Sequence, residues 1–181
     1  MQGTGKPHPP GISEPSEPSE PSEPSEPAAD NGGDSEIGPL GWRIARSPVW
    51  QATAAAKEGI DNSTALRIDF NGSENLSFAG VRQTVLVPPG RRYELSYEIR
   101  SQGLTTDQGV SLEVVEPQGQ RVLLHTDEIR GTTLWSRFSL TFEPAAGVDT
   151  IELRLQRARS LQLDNRLAGS VWLDNVQVVP R

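Results

Sequence analysis

From Thr64 to Ser101 the chain alternates apolar and polar residues with the period of a β-strand, three times in succession. Leu66, Ile68 and Phe70 are separated by Arg67 and Asp69; Val81, Gln83, Val85 and Val87 share one parity on a β-branched background. Tyr93, Leu95, Tyr97 and Ile99 then face away from Glu94, Ser96, Glu98 and Arg100. Pro88-Pro89-Gly90 ends the second run, because neither proline can donate to a ladder and Gly90 can turn the chain. Three strands so close together, with no helical period, predict an antiparallel sheet whose apolar face needs a second sheet to cover it.

The same pattern continues downstream. Val110, Leu112 and Val114 form a strand, Glu116-Pro117-Gln118-Gly119 a turn, and Val122-Leu123-Leu124 its hairpin partner. Phe138, Leu140 and Phe142 alternate with Arg137, Ser139 and Thr141, and Ile151, Leu153 and Leu155 with Glu152, Arg154 and Gln156. A last strand runs from Ser170 to Val179. Upstream, Gly41 to Ile44 reads as a first strand, whereas Ser47 to Ile60, with its run of alanines, fits a helix or an edge strand equally well. The expectation is an all-β, two-sheet antiparallel sandwich of eight or nine strands, with no βαβ signal.

Residues 1–36 stand apart from this pattern. They hold five consecutive Ser-Glu-Pro units and no aromatic residue, and prolines at every third position exclude helix and central strand. This composition predicts a disordered, acidic linker, stiffened by proline and by repelling glutamates. Residues 37–181 are then one domain, large enough to hold a core without cross-links. A spacer of this kind at the start of a chain implies a monomeric module from a longer protein.

Charge sharpens the division. Lys6 against eight acids gives the linker the whole net charge of −7, while the 16 basic and 16 acidic residues of the body cancel. A body without basic excess argues against nucleic-acid phosphates or anionic lipid as partners. No stretch is long and apolar enough to insert in a membrane. With no Cys, thiolate metal sites are excluded; with only His8 and His125 and no Gly-x-Ser-x-Gly motif, no catalytic nucleophile is evident. The expectation is a domain that is not an enzyme.

The motif order, with an early Asn-Gly-Gly and Gly-Trp, then LRIDFNG, VRQTV, VPPGRRYELSYEIRS, GTTLWSRFSLTF, DTIELRLQR and a closing SVWLDNVQV, resembles the jelly-roll carbohydrate-binding modules of families four, nine and twenty-two. LTTDQG and DNRLAGSVWLDNV look more narrowly like a bacterial variety found at the end of longer, repeat-containing envelope proteins. The resemblance implies a galactose-binding-like sandwich that takes a poly- or oligosaccharide in a concave-face groove, in an extracellular, periplasmic or cell-envelope setting. The alternative is a structural or protein-interaction sandwich of the same fold without glycan binding.

Glycan modules stack sugar faces on aromatic rings and bridge hydroxyls with polar side chains. Tyr93, Tyr97 and Trp172 share the parity of apolar strand neighbours, and Trp135, at the start of an alternating strand, resembles the structural Trp of these modules, which leaves Trp42 and Trp50, in less regular sequence, as a sugar platform or as a cover over the open edge. Arg82, Arg100, Glu113, Arg154 and Gln156 take outward parities and could either bridge hydroxyls or pair with one another. Gln83 shares the parity of Val81 and Val85 and is expected to be buried and hydrogen-bonded unless the strand's phase is shifted. The resemblance also implies a structural calcium, with Asp174 as its late ligand and Asp34 or Glu36 as the early acid. The other reading of Asp174 is a residue in a strand-end turn.

Overall fold

The computed structural model describes residues 36–105, 107–118, 120–162 and 165–181; the linker and the Asp34 assignment lie outside these. Eleven strands follow one another: β1 (Glu36–Ile37), β2 (Arg43–Ile44), β3 (Trp50–Ala56), β4 (Thr64–Asn71), β5 (Phe78–Leu86), β6 (Tyr93–Leu104), β7 (Ser111–Glu116), β8 (Arg121–His125), β9 (Gly131–Phe142), β10 (Thr150–Arg157) and β11 (Ala168–Pro180). The count exceeds the expected eight or nine because the two-residue β1 precedes the expected first strand, which is β2, and the ambiguous alanine segment forms β3, an edge strand. β1 also starts at Glu36, the residue given to the end of the linker.

Sheet A has the order β1-β2-β5-β10-β7-β8 and sheet B the order β3-β4-β11-β6-β9, with every pairing antiparallel. From β4 onward the chain crosses repeatedly between the sheets, so most strands pair with partners distant in sequence, the arrangement of a jelly roll. The turn at Pro88–Gly90, with Gly90 at φ 72°, carries one such crossing from β5 to β6. Alternation then places Leu66, Ile68, Leu95 and Ile99 from sheet B against Leu112, Val114, Leu153 and Leu155 from sheet A. Burial of each such side chain contributes about 1.5–3 kcal/mol.

Aromatic rings close one end of this core. Phe78 receives Trp50 edge-on at 5.0 Å and Phe70 at 5.1 Å. The Trp50 ring lies so close over Gly80 that a Cβ there would fall 2.2 Å from it, so glycine is required by contact. Among the charged residues, Arg157 is 1% exposed. Its Nε donates to the Gln108 carbonyl at 3.0 Å, and Nη1 donates to Asn75 Oδ1 at 3.2 Å and to the Leu76 carbonyl. Burial draws the guanidinium pKa down, and the charges of Asp107 and Glu128 oppose that.

β11 contains the one irregularity that changes the outer surface. Glu98 faces Asp174 and Ser96 faces Gln177, so Asn175 and Val176 together span Tyr97, with Asn175 at φ 49°. This bulge reverses the strand's parity: Val171 and Leu173 point inward before it, Val176 and Val178 after it. Trp172 therefore lies on the outer face of sheet B and not in the main core, a correction to the parity reading.

Candidate functional site

The register of sheet A aligns one polar residue from each of five adjacent strands. Arg43 on β2 faces Arg82 on β5, Arg82 faces Arg154 on β10, Arg154 faces Glu113 on β7, and Glu113 faces His125 on β8. Since the neighbours of these residues along the strands (Val81, Leu112, Val114, Leu153 and Leu155) fill the core, the row must face outward. At about 4.8 Å per strand, it extends about 19 Å across the sheet.

Glu113 organises the row's centre. Its carboxylate is 8% exposed and takes the Arg154 Nε–H on one oxygen at 2.7 Å, with His125 Nδ1 3.0 Å from the other. Such charge-assisted contacts hold the guanidinium and imidazole in fixed orientation. Gln156, two residues beyond Arg154, donates to Ser111 Oγ at 3.1 Å. Arg82 donates through Nε to the Ala79 carbonyl at 3.1 Å, and Arg43 is exposed. The result is a strip of guanidinium, carboxylate, imidazole and amide edges, each able to meet vicinal hydroxyls with paired hydrogen bonds.

Four of the seven sequence candidates, Arg82, Glu113, Arg154 and Gln156, thus lie on one face. The others do not. Trp42 is 3% exposed and Trp50 is 8% exposed, both inside the core between the sheets, so neither offers an open ring; this corrects their assignment as a platform. β2 and β3 carry too few large residues to fill their end of the sandwich, and these indoles do so. Arg100 belongs to sheet B, where its guanidinium lies 4.0 Å from the Trp172 ring centroid and 5.3 Å from that of Trp135. Gln83 keeps its inward parity and donates to the Leu40 carbonyl at 3.4 Å.

Sequence reasoning missed Arg43 and His125 as members of the row, and Ser111 as the partner of Gln156 beside it. His125 was within reach of it, because the β7–β8 hairpin sets Glu116 against Arg121, and counting outward past one bulge brings His125 to Glu113.

Of the acids expected at a calcium site, Asp34 lies outside the described residues and Asp174 is engaged by hydrogen-bond donors. Among the described residues no group of three or more acidic or histidine side chains could hold a metal ion. Asp174 Oδ2 accepts the Ile60 N–H at 2.8 Å and the Ser63 hydroxyl, and Oδ1 accepts the Asn175 N–H at 2.7 Å, donors where a cation would need oxygens. β1, which carries Glu36, lies at the edge of sheet A, while Asp174 is on a central strand of sheet B.

The sequence matches no protein-family model and no curated protein. Solved structures do match. A putative sugar-binding protein from Bacteroides thetaiotaomicron is similar over 77% of this chain and 87% of its own, with TM-score 0.55 and 11% identity. A family 61 carbohydrate-binding module in complex with β-1,4-galactotriose is similar over 81% and 92%, with TM-score 0.52 and 14% identity.

The fold is that of the jelly-roll carbohydrate-binding modules. A third similar structure joins a family 22 carbohydrate-binding module to a family 10 glycosidase module in xylanase 10B of Clostridium thermocellum, complexed with xylohexaose. This chain aligns with it over 78% of its own length but 26% of that protein's, with TM-score 0.52 and 16% identity. No helix among the described residues is long and apolar enough to cross a membrane.

Proposed function

We propose that the outer face of sheet A binds a polysaccharide chain, weakly and without catalysis, along the row from Arg43 to His125. The observation that carries this reading is the register itself: five polar side chains, three of them joined through Glu113, cross a carbohydrate-binding-module fold perpendicular to its strands. A strip about 19 Å long accommodates several sugar units. Because no tryptophan lies on this face, affinity rests on hydrogen bonds that exchange with water, and Kd falls on the order of 10 µM to 1 mM, about −7 to −4 kcal/mol. The setting that suits this activity is an extracellular or envelope protein of which this domain is one part.

The test is retardation in native gels cast with a panel of soluble polysaccharides. Retardation by one of them, lost in Arg43→Ala and Gln156→Ala proteins that melt like the parent, supports the reading. A panel with no retardation replaces it with the protein-interaction sandwich.

A further inference from the structure

The outer face of sheet B carries a cavity that the row on sheet A does not explain. It measures about 200 Å³ and is lined by Tyr97, Glu98, Arg137, Asn175 and Gln177. The bulge in β11 creates it: spreading two residues over the space of one separates β11 from β6 and turns the Asn175 amide onto Glu98, with Nδ2 2.5 Å from Oε2. The φ of 49° at Asn175 is a conformation that a side chain other than glycine adopts at a cost, and such strain collects at binding sites.

The charges around the cavity are only partly taken up: Glu98 accepts the Asn175 amide, and the charge of Arg137 acts on Glu94. Glu98 and Arg137 face each other directly across β6 and β9, the position in which opposite charges ordinarily pair. No salt bridge joins them, and neither the Arg137 guanidinium nor the Gln177 amide has a hydrogen-bond partner among the described residues. One carboxylate, one guanidinium and two amides therefore surround the space, all planar groups that grip adjacent hydroxyls two at a time. Two residues before Arg137, on the same face of β9, stands Trp135, the one tryptophan of the chain that is not buried. Its indole packs with Trp172 and carries the Arg100 guanidinium 5.3 Å from its centroid, so it is not part of the cavity lining.

We propose that this cavity is a second saccharide site, separate from the row on sheet A, which takes a single sugar ring among Glu98, Arg137, Asn175 and Gln177. The domain then holds a ligand on each outer face. The proposal shares its ligand class with the reading of sheet A but uses none of the same residues.

The experiment is a titration of the isotope-labelled protein, followed by amide NMR, with glucose, galactose, mannose, N-acetylglucosamine and glucuronate, each to millimolar excess. Shifts at the Asn175 and Gln177 side-chain amides are expected with at least one sugar. Arg137→Ala and Gln177→Ala should each weaken that response at least about tenfold, as losing a charge-assisted or paired hydrogen bond does. Shifts confined to Arg43, Gln156 and their neighbours overturn this proposal and leave sheet A intact. Shifts confined to the bulge uphold it, and the polysaccharide gels decide sheet A separately. No shift with any of the sugars overturns it, and the polysaccharide gels then decide sheet A alone.

Discussion

The two outer faces of the sandwich each carry arginines on the central strands, and each stabilises them differently. On sheet A, Arg154 is met by the Glu113 carboxylate, which also contacts His125. On sheet B, Trp172 lies between Arg67, 5.0 Å from its ring, and Arg100, 4.0 Å from it, while its indole N–H donates to Glu58 at 2.6 Å. A carboxylate pair leaves further donor and acceptor edges for a ligand, whereas a cation stacked on a ring is held by shape and shares its face with that ring. Arg100 is accordingly a structural part of sheet B, and Arg154 is a residue poised to meet hydroxyls.

The largest test of this contrast removes the ring. Trp172→Ala should lower stability by about 3 kcal/mol in denaturant titration, as loss of a buried aromatic does, yet leave polysaccharide retardation by sheet A unchanged. Simultaneous loss of retardation would mean that the two faces are one coupled unit. Asp174→Ala comes next: leaving the Ile60 N–H and the Ser63 hydroxyl without their acceptor should cost about 1–3 kcal/mol. Chelator tests calcium at the same place: a fall in melting temperature that Asp174→Ala abolishes assigns an ion to Asp174, and equal melting with and without chelator leaves Asp174 as a turn residue.

On sheet A the expected stability change is smaller and the binding change larger. Glu113→Gln keeps the shape but removes the charge that orients Arg154 and His125, for about 1 kcal/mol in stability together with loss of retardation in the gel. Retention of full retardation would show that the row's centre does not touch the ligand. The smallest effect belongs to Glu128, in the crossing from sheet A to sheet B. Burial, the strongest single influence, works to raise its pKa, but hydrogen bonds from Arg130 and the Gly109 N–H and the charge of Arg130 together hold it below the ordinary carboxylate value. Its stabilisation is therefore complete above the unfolded-state pKa and is lost as pH falls through the lower folded-state value. Glu128→Gln should flatten the acid side of the melting-temperature profile by a few tenths of a kcal/mol, with binding at neutral pH unaltered.

Much of this architecture was legible in the chain. Tyr93, Leu95, Tyr97 and Ile99 are buried as their alternation requires, and the β7–β8 hairpin forms where its turn residues put it. Trp172 was misread because its parity was counted from Val176 and Val178 across a bulge, and one residue in a left-handed conformation reverses every side chain beyond it. The candidate site was half legible for a different reason. Alternation tells whether Arg100 and Arg154 point outward, but nothing local tells which of two sheets each is on, since strand order is fixed by pairings between residues far apart in sequence. Trp42 and Trp50 show a third limit: in short or alanine-rich strands a large ring is the filler of the core, and irregular spacing hides it.

Arg157 bears on how the molecule moves. By binding the backbone at Gln108 and Leu76 and the Asn75 side chain, which itself donates to the Ser160 carbonyl at 2.8 Å, it fastens three connections at one end of the sandwich to a single buried charge. Those connections cannot open one at a time without leaving the guanidinium unsatisfied away from water. Their amide protons should then exchange with solvent together, at one common rate, so that this end of the domain behaves as a single hinge-free plate.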